Sequence, residues 1–252
     1  MPFTFFAHQL AVLPLKCARP RWFDGTALCI GSMAPDFAYA LEGTPLAFKS
    51  HHVAAQVAFS APISFLLARY FRARMAAPLG SQLPGALGGE LIAIARSRHA
   101  WWVTCLSGLL GGLSHLVMDG FTHRHGWVVE HSARLQANVI SFQGSPIPAW
   151  HALQYLGHSV GTLLGFLLMA ALVHRRSISR WNGLPPTPPK ARFDAKAPVW
   201  RLGAVGLVIA LAATASGHNL PTAIIRGSVA LFAWLALVVH FTSDTTNAYS
   251  AQ

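Results

Sequence analysis

Apolar residues in this chain come in long runs separated by short polar connections. Val53 to Phe71, Trp101 to Met118, His151 to Val173, Val199 to Ser216 and Thr222 to Phe241 each approach the roughly twenty residues that a bilayer-crossing helix needs. Pro62 lies inside the first of these runs, which a membrane helix tolerates when neighbours satisfy the freed carbonyl. Two shorter runs precede them. Residues 3–15 are interrupted by His8, Gln9 and Pro14, and residues 26–41 contain Pro35, which lacks an amide donor and kinks or ends a helix. With the basic turn Lys16, Arg19 and Arg21 between them, these short runs predict a helical hairpin that is buried or only partly inserted. The expected fold class is all-α: a polytopic membrane helix bundle of about five transmembrane helices plus a short N-terminal helical hairpin.

The same pattern sets the organisation. Residues 1–241 are expected to form a single membrane-embedded domain. It comprises the hairpin (1–50), core helices (53–173), a basic Pro-rich cytoplasmic loop (174–198) and a C-terminal helical pair (199–241), with a polar tail at 242–252. Residues 72–99 read as a Gly/Pro-rich basic loop, and 119–150 as a polar connection rich in histidine and aromatic residues. Gly108, Gly111 and Gly112 suit close helix packing. Gly157, Gly161 and Gly165 recur every four residues and form a small-residue face for another helix.

Composition supports a membrane protein. Hydrophobic residues make up 53% and charged residues 11%, with mean hydropathy +0.43; soluble domains carry roughly a quarter charged residues. A net charge of +11 would point to nucleic acid in a soluble protein. Here the basic residues lie between apolar runs, where they read as a topology signal, and nucleic-acid binding is not expected. The 72–99 and 174–198 loops are the most positive, so they are expected in the cytoplasm, with the C-terminus on the same side of a bacterial inner membrane. The N-terminus has no basic region ahead of its apolar part and is expected to stay in the mature protein. Cys17, Cys29 and Cys105 are too few and too scattered for a disulfide framework or a CxxC metal site.

The candidate chemistry centres on Ser114 to His125. His115 and Asp119 are four residues apart and share a helix face; His123, four further on, joins them if the helix survives Gly120. Imidazole beside carboxylate is a metal half-site, and ionisable groups at the rim of a membrane helix mark function by default. The charge-derived topology brings His8, Asp36, His51, His52, His115, Asp119, His123 and His125 toward one membrane face. Candidate metal ligands are His8, Asp36, His51, His115, Asp119 and His123. Asp119 and Asp36 are also candidate catalytic carboxylates, able to bridge two metals or take a proton from a bound water. Arg124, His52 and His125 are candidates to hold an anionic substrate group. The donor set suits a divalent metal, zinc first, with manganese or iron as alternatives.

Each residue has a plainer reading. Asp36 can cap the next helical turn, His8 can be a hydrogen-bonded packing residue, and His123 and His125 can be loop residues. His51 and His52 would point about 100° apart on a helix. Arg124 can be an ordinary interfacial arginine. His158, in the middle of an apolar run, is either a further ligand or one end of an interhelical hydrogen bond.

Taken in order, Met1-Pro2-Phe3-Thr4 with His8, Gly31-Ser32-Met33-Ala34-Pro35-Asp36, Ser50-His51, Ser114-His115 with Asp119, and Phe121-Thr122-His123 resemble a bacterial multi-pass membrane-protein family known as a domain of unknown function. The resemblance covers roughly residues 1–240. The same order is similar to inner-membrane proteins expected to be metal-dependent hydrolases, which carry a Pro-Asp pair, a His-Ser pair and a His-x-x-x-Asp pair. A more distant similarity of ligand order, His8, Asp36, His51, His115 with Asp119, then His123, links the chain to secreted zinc-dependent phospholipase C and single-strand nucleases. The His-x-x-x-Glu pair that continues their pattern is absent from this chain. The resemblance implies a membrane-embedded hydrolase of a phosphoester, with membrane lipids as partners and a lipid or small molecule as substrate. The alternative is a non-enzymatic transporter or scaffold whose cluster holds helices together or relays protons.

Overall fold

The structure, a computed structural model, describes residues 5–185, 206, 208, 211–212, 214–215 and 220–242. Most of these residues are helical. In chain order the elements are α1 (Phe5–Ala18), α2 (Gly25–Gly31), α3 (Ala34–Phe37), α4 (Val53–Gln82), α5 (Gly85–Arg96), α6 (Trp101–Thr122), α7 (Trp127–Glu130) and α8 (Ala133–Gln136), then strands β1 (Asn138–Phe142) and β2 (Ser145–Pro148), then α9 (Ala149–His174), α10 (Ser177–Trp181) and α11 (Leu220–Thr242). Three helical stretches are long and apolar enough to cross a membrane: Val53–Gln82, Trp101–Glu130 and Ala149–His174. They contain the first three long apolar runs of the sequence. The last run falls on α11. The Pro-rich stretch from Pro186, most of the run from Val199 to Ser216 and the tail beyond Thr242 lie outside the described residues.

Two connections differ from expectation. Residues 72–99 are mainly helix, because α4 continues to Gln82 and α5 follows after a short break at Leu83 and Pro84. The prolines punctuate that stretch without unwinding it, since Pro84 stands at the N-cap of α5, where no amide donor is needed. The 119–150 connection is also ordered. It holds α7, α8 and a two-stranded antiparallel hairpin, so the chain is not purely helical. Gln143 and Gly144 turn the hairpin with positive φ at both positions, the geometry a two-residue loop needs to match strand twist.

α4 carries two π-helical turns, Gln56–Ser60 and Phe71–Met75. The first immediately precedes Ala61-Pro62. Pro62 offers no N–H to the Ala58 carbonyl and its ring crowds that group; the widened turn relieves both problems without ending the helix.

Two compact units divide the chain: Met1–Pro35 with Lys49–Phe65 and Trp101–Met169, and Asp36–Phe48 with Leu66–Ala100 and Ala170–Gln252. In the first, α2 packs closely on α6 through glycines. A Cβ on Gly111 would stand 2.5 Å from the Leu28 carbonyl oxygen and 2.6 Å from the Ser32 amide nitrogen, and one on Gly31 would collide with the Gly108 carbonyl. Asp24 fixes the register. It is buried, its Oδ1 accepts from Thr26 N (3.1 Å) and Ala27 N (3.3 Å) at the N-cap of α2, and its Oδ2 accepts from Thr104 Oγ1 on α6 (2.8 Å). On α9, Gly161 receives Ala7 and Gly165 receives Phe6 of α1, while Gly157 faces open space. The small-residue face is therefore used by its last two members. In the second unit, α5 packs on the end of α4 at Gly80 and Gly88. Arg226 of α11 donates to the carbonyls of Ala40 and Glu42.

Candidate metal centre

The centre is built on the C-terminal half of α6. Gly120 does not end this helix: His123 N still donates to Asp119 O at 3.0 Å. A glycine is needed there because a Cβ would stand 2.7 Å from Trp127 Nε1, which covers the helix end. His115, Asp119 and His123 therefore stack on one face. Asp119 Oδ2 lies 3.2 Å from His115 Nε2, and Asp119 Oδ1 lies 3.4 Å from His123 Nδ1. His51 comes from the turn before α4 and places Nε2 3.5 Å from Asp119 Oδ2. His8, buried on α1, stacks on His115 with ring centroids 4.1 Å apart and planes 12° from parallel. One ligand atom each from His8, His115 and Asp119 can be chosen so that all lie within 4.8 Å of one another.

Hydrogen bonding fixes the state of His115. Its Nδ1 lies 2.8 Å from the Ser32 carbonyl oxygen. A carbonyl only accepts, so Nδ1 carries the proton, and in the neutral ring Nε2 presents a lone pair. That lone pair faces a carboxylate oxygen at 3.2 Å, so two acceptors meet. A proton shared by the pair or a metal ion held by both would relieve this contact. Proton occupancy would bury an imidazolium against the stacked His8 ring, with only 1% of the His115 side chain exposed. A histidine donating to a backbone carbonyl while its other nitrogen points into a cluster is the arrangement that orients metal ligands. Two ligands bound at the zinc–nitrogen and zinc–oxygen distance of about 2 Å stand roughly 3.3 Å apart at a tetrahedral angle, close to the observed 3.2 Å.

The supporting residues were not singled out in the sequence. Ser32 offers its carbonyl because it sits at the C-cap of α2, where carbonyls lack intrahelical donors. Gln56, fully buried, donates from Nε2 to the carbonyls of Ser50 (2.8 Å) and His52 (3.2 Å), pinning the turn that carries His51. Ser50 Oγ lies 3.0 Å from His51 Nδ1. Gln154 Nε2 on α9 reaches His123 Nε2 at 3.2 Å. Ser32 and Ser50 stood inside motifs already noted, and Gln56 and Gln154 are polar residues in apolar runs, which was the available signal.

Three of the other candidates, His52, His125 and Arg124, have different surroundings. His52 Nδ1 accepts from Ala55 N at 3.0 Å as the N-cap of α4. His51 and His52 do diverge, but in the turn ahead of the helix. His125 is largely exposed and faces Glu130 Oε1 at 3.5 Å. Arg124 is exposed just beyond α6. Asp36 stands one residue past Pro35 on α3 and is the first residue of the second unit. Among the cysteines, burial pushes the Cys29 thiol up to about 12, so it offers no thiolate at neutral pH.

A family described as "Domain of unknown function (DUF4184)" matches residues 1–245. No curated protein and no solved structure matches the chain.

Proposed function

We propose that this chain, which belongs to the domain-of-unknown-function family DUF4184, is a membrane-embedded metal-dependent hydrolase of a phosphoester. The observation that carries the reading is the His115–Asp119 contact: an imidazole lone pair, set by the bond to the Ser32 carbonyl, faces a carboxylate oxygen at 3.2 Å. His8, His51, His115, Asp119 and His123 are the proposed ligands within the first unit, and Asp36 remains a proposed ligand from its motif. Neutral imidazole and carboxylate donors suit zinc, with manganese or iron as alternatives. Such an ion, when bound, lowers the pKa of a coordinated water and stabilises charge on a phosphoryl oxygen. The residues themselves do the positioning. Ser32 orients His115, Gln56 holds the His51 turn, and Asp119 balances positive charge.

The proposed setting is a bacterial inner membrane crossed about five times, with a cytoplasmic C-terminus and the centre toward the outer face. Three sufficiently long apolar helices support a membrane location, and a lipid headgroup is then a natural substrate. The test is a hydrolysis assay on detergent-purified full chain loaded with zinc or manganese, using water-soluble phosphodiesters and phospholipids. The reading expects metal-dependent turnover that falls to background in His115→Ala and Asp119→Asn while both remain folded. Stoichiometric metal with no turnover on any of these substrates would favour the non-enzymatic scaffold or transporter.

A further inference from the structure

One histidine near the centre remains unassigned. His158 lies on α9, in the π-helical turn Gly157–Gly161. Single π-turns inside α-helices concentrate at functional sites, because the extra residue re-aims side chains. Its Nδ1 is buried and has no hydrogen-bond partner among the described residues. An imidazole nitrogen buried without a partner is costly in an apolar helix unless a ligand or water completes it.

Two contacts tie α9 on either side of His158 to the centre. Gln154, four residues earlier, touches His123 Nε2 at 3.2 Å. Gly161, at the end of the same turn, seats Ala7, the neighbour of His8. His158 lies between these two positions on α9. It is nevertheless not a member of the compact His8, His115 and Asp119 group of ligand atoms. Its buried Nδ1, unpartnered among the described residues, can complete its hydrogen bonding on an oxygen of a bound substrate.

We propose that His158 is a substrate-binding residue of this centre, hydrogen-bonding a phosphoryl oxygen of the bound anion. The inference rests on the metal-centre reading above and adds a contact to it. Gln154, on the same helix, is its companion in positioning, through His123.

The test uses the full chain in detergent, loaded with zinc, as wild type, His158→Ala, His158→Gln and the exposed control His174→Ala. Bound zinc is counted by elemental analysis, and affinity for inorganic phosphate and for a short-chain phosphatidylcholine is measured by calorimetry. The expected result is unchanged zinc in all four proteins and phosphate affinity about tenfold or more weaker in His158→Ala, the loss of one hydrogen bond to a charged group. His158→Gln keeps a side-chain donor and should retain part of the affinity; His174→Ala should match wild type. A greater dependence on His158 for the phospholipid than for phosphate would assign the anion to a lipid headgroup, and the reverse to a free phosphate. Unchanged phosphate affinity in His158→Ala overturns the proposal, as does loss of zinc, which would make His158 a ligand. Wild type that binds zinc but no phosphate also overturns it. Wild type that binds no zinc sinks the metal-centre reading itself, a distinguishable failure.

Discussion

Glu90 in the second unit and Asp119 in the first are both carboxylates withdrawn from solvent, and their surroundings are opposite. Glu90 is 1% exposed and accepts from Ile178 N at 2.6 Å, Ser179 N at 3.2 Å and the Ser179 hydroxyl, closing the N-terminus of α10. Every one of those partners is a donor, so the pairing is complete and leaves nothing for a ligand to supply. Asp119 is surrounded by imidazole nitrogens at 3.2, 3.5 and 3.4 Å, and one of them presents a lone pair. Burial alone therefore does not mark a functional acid. The match between donors and acceptors separates the two: Glu90 is a satisfied structural cap, and Asp119 is the proposed metal ligand.

That contrast orders the consequences of mutation. Glu90→Ala leaves two backbone amides and a hydroxyl buried without an acceptor and should cost about 3 kcal/mol, read by thermal unfolding in detergent, with metal content unchanged. Metal loss in this variant would break the distinction between the two acids. Gly111→Ala should cost about 2 kcal/mol by overpacking α2 on α6. Because it displaces the Ser32 carbonyl, it should also weaken metal binding, which titration with zinc would show. Asp24→Ala removes an N-cap and the Thr104 bond and should cost about 1.5 kcal/mol, again by thermal unfolding. The smallest effect on stability separates the adjacent histidines. His52→Ala should cost about 0.5–1 kcal/mol through its lost cap and leave zinc affinity intact. His51→Ala should barely alter stability but weaken zinc roughly tenfold or more. Equal zinc affinities for these two variants would remove His51 from the ligand set.

Local patterns made part of this legible. The first three long apolar runs are long enough to read by length alone, and they fall on the three helices able to cross a membrane. The spacing of His115, Asp119 and His123 needed only the helical period. Positions dependent on distant partners were not legible. Asp24 looked like any loop acid until Thr104 and Ser107, some eighty residues away, supplied its partners. Gln56 gained its role from the carbonyls of the His51 turn. Residues 72–99 were misjudged because glycine and proline were read as loop formers. Gly80 and Gly88 are instead contact points between packed helices, and Pro84 sits where a helix begins. The 138–148 hairpin escaped notice because all five β1 residues are exposed, so no alternation of buried and exposed positions marked the strand.

The most direct test is elemental analysis of the detergent-purified protein, reconstituted with zinc or manganese, comparing wild type with Asp119→Asn. This substitution keeps the side-chain shape and removes the charge. The account predicts about one ion per chain, or about two if a carboxylate bridges a pair, in wild type and none in Asp119→Asn, with both proteins folded. Wild type that takes up neither metal would contradict it and would leave Asp119 in an ion pair with a protonated histidine.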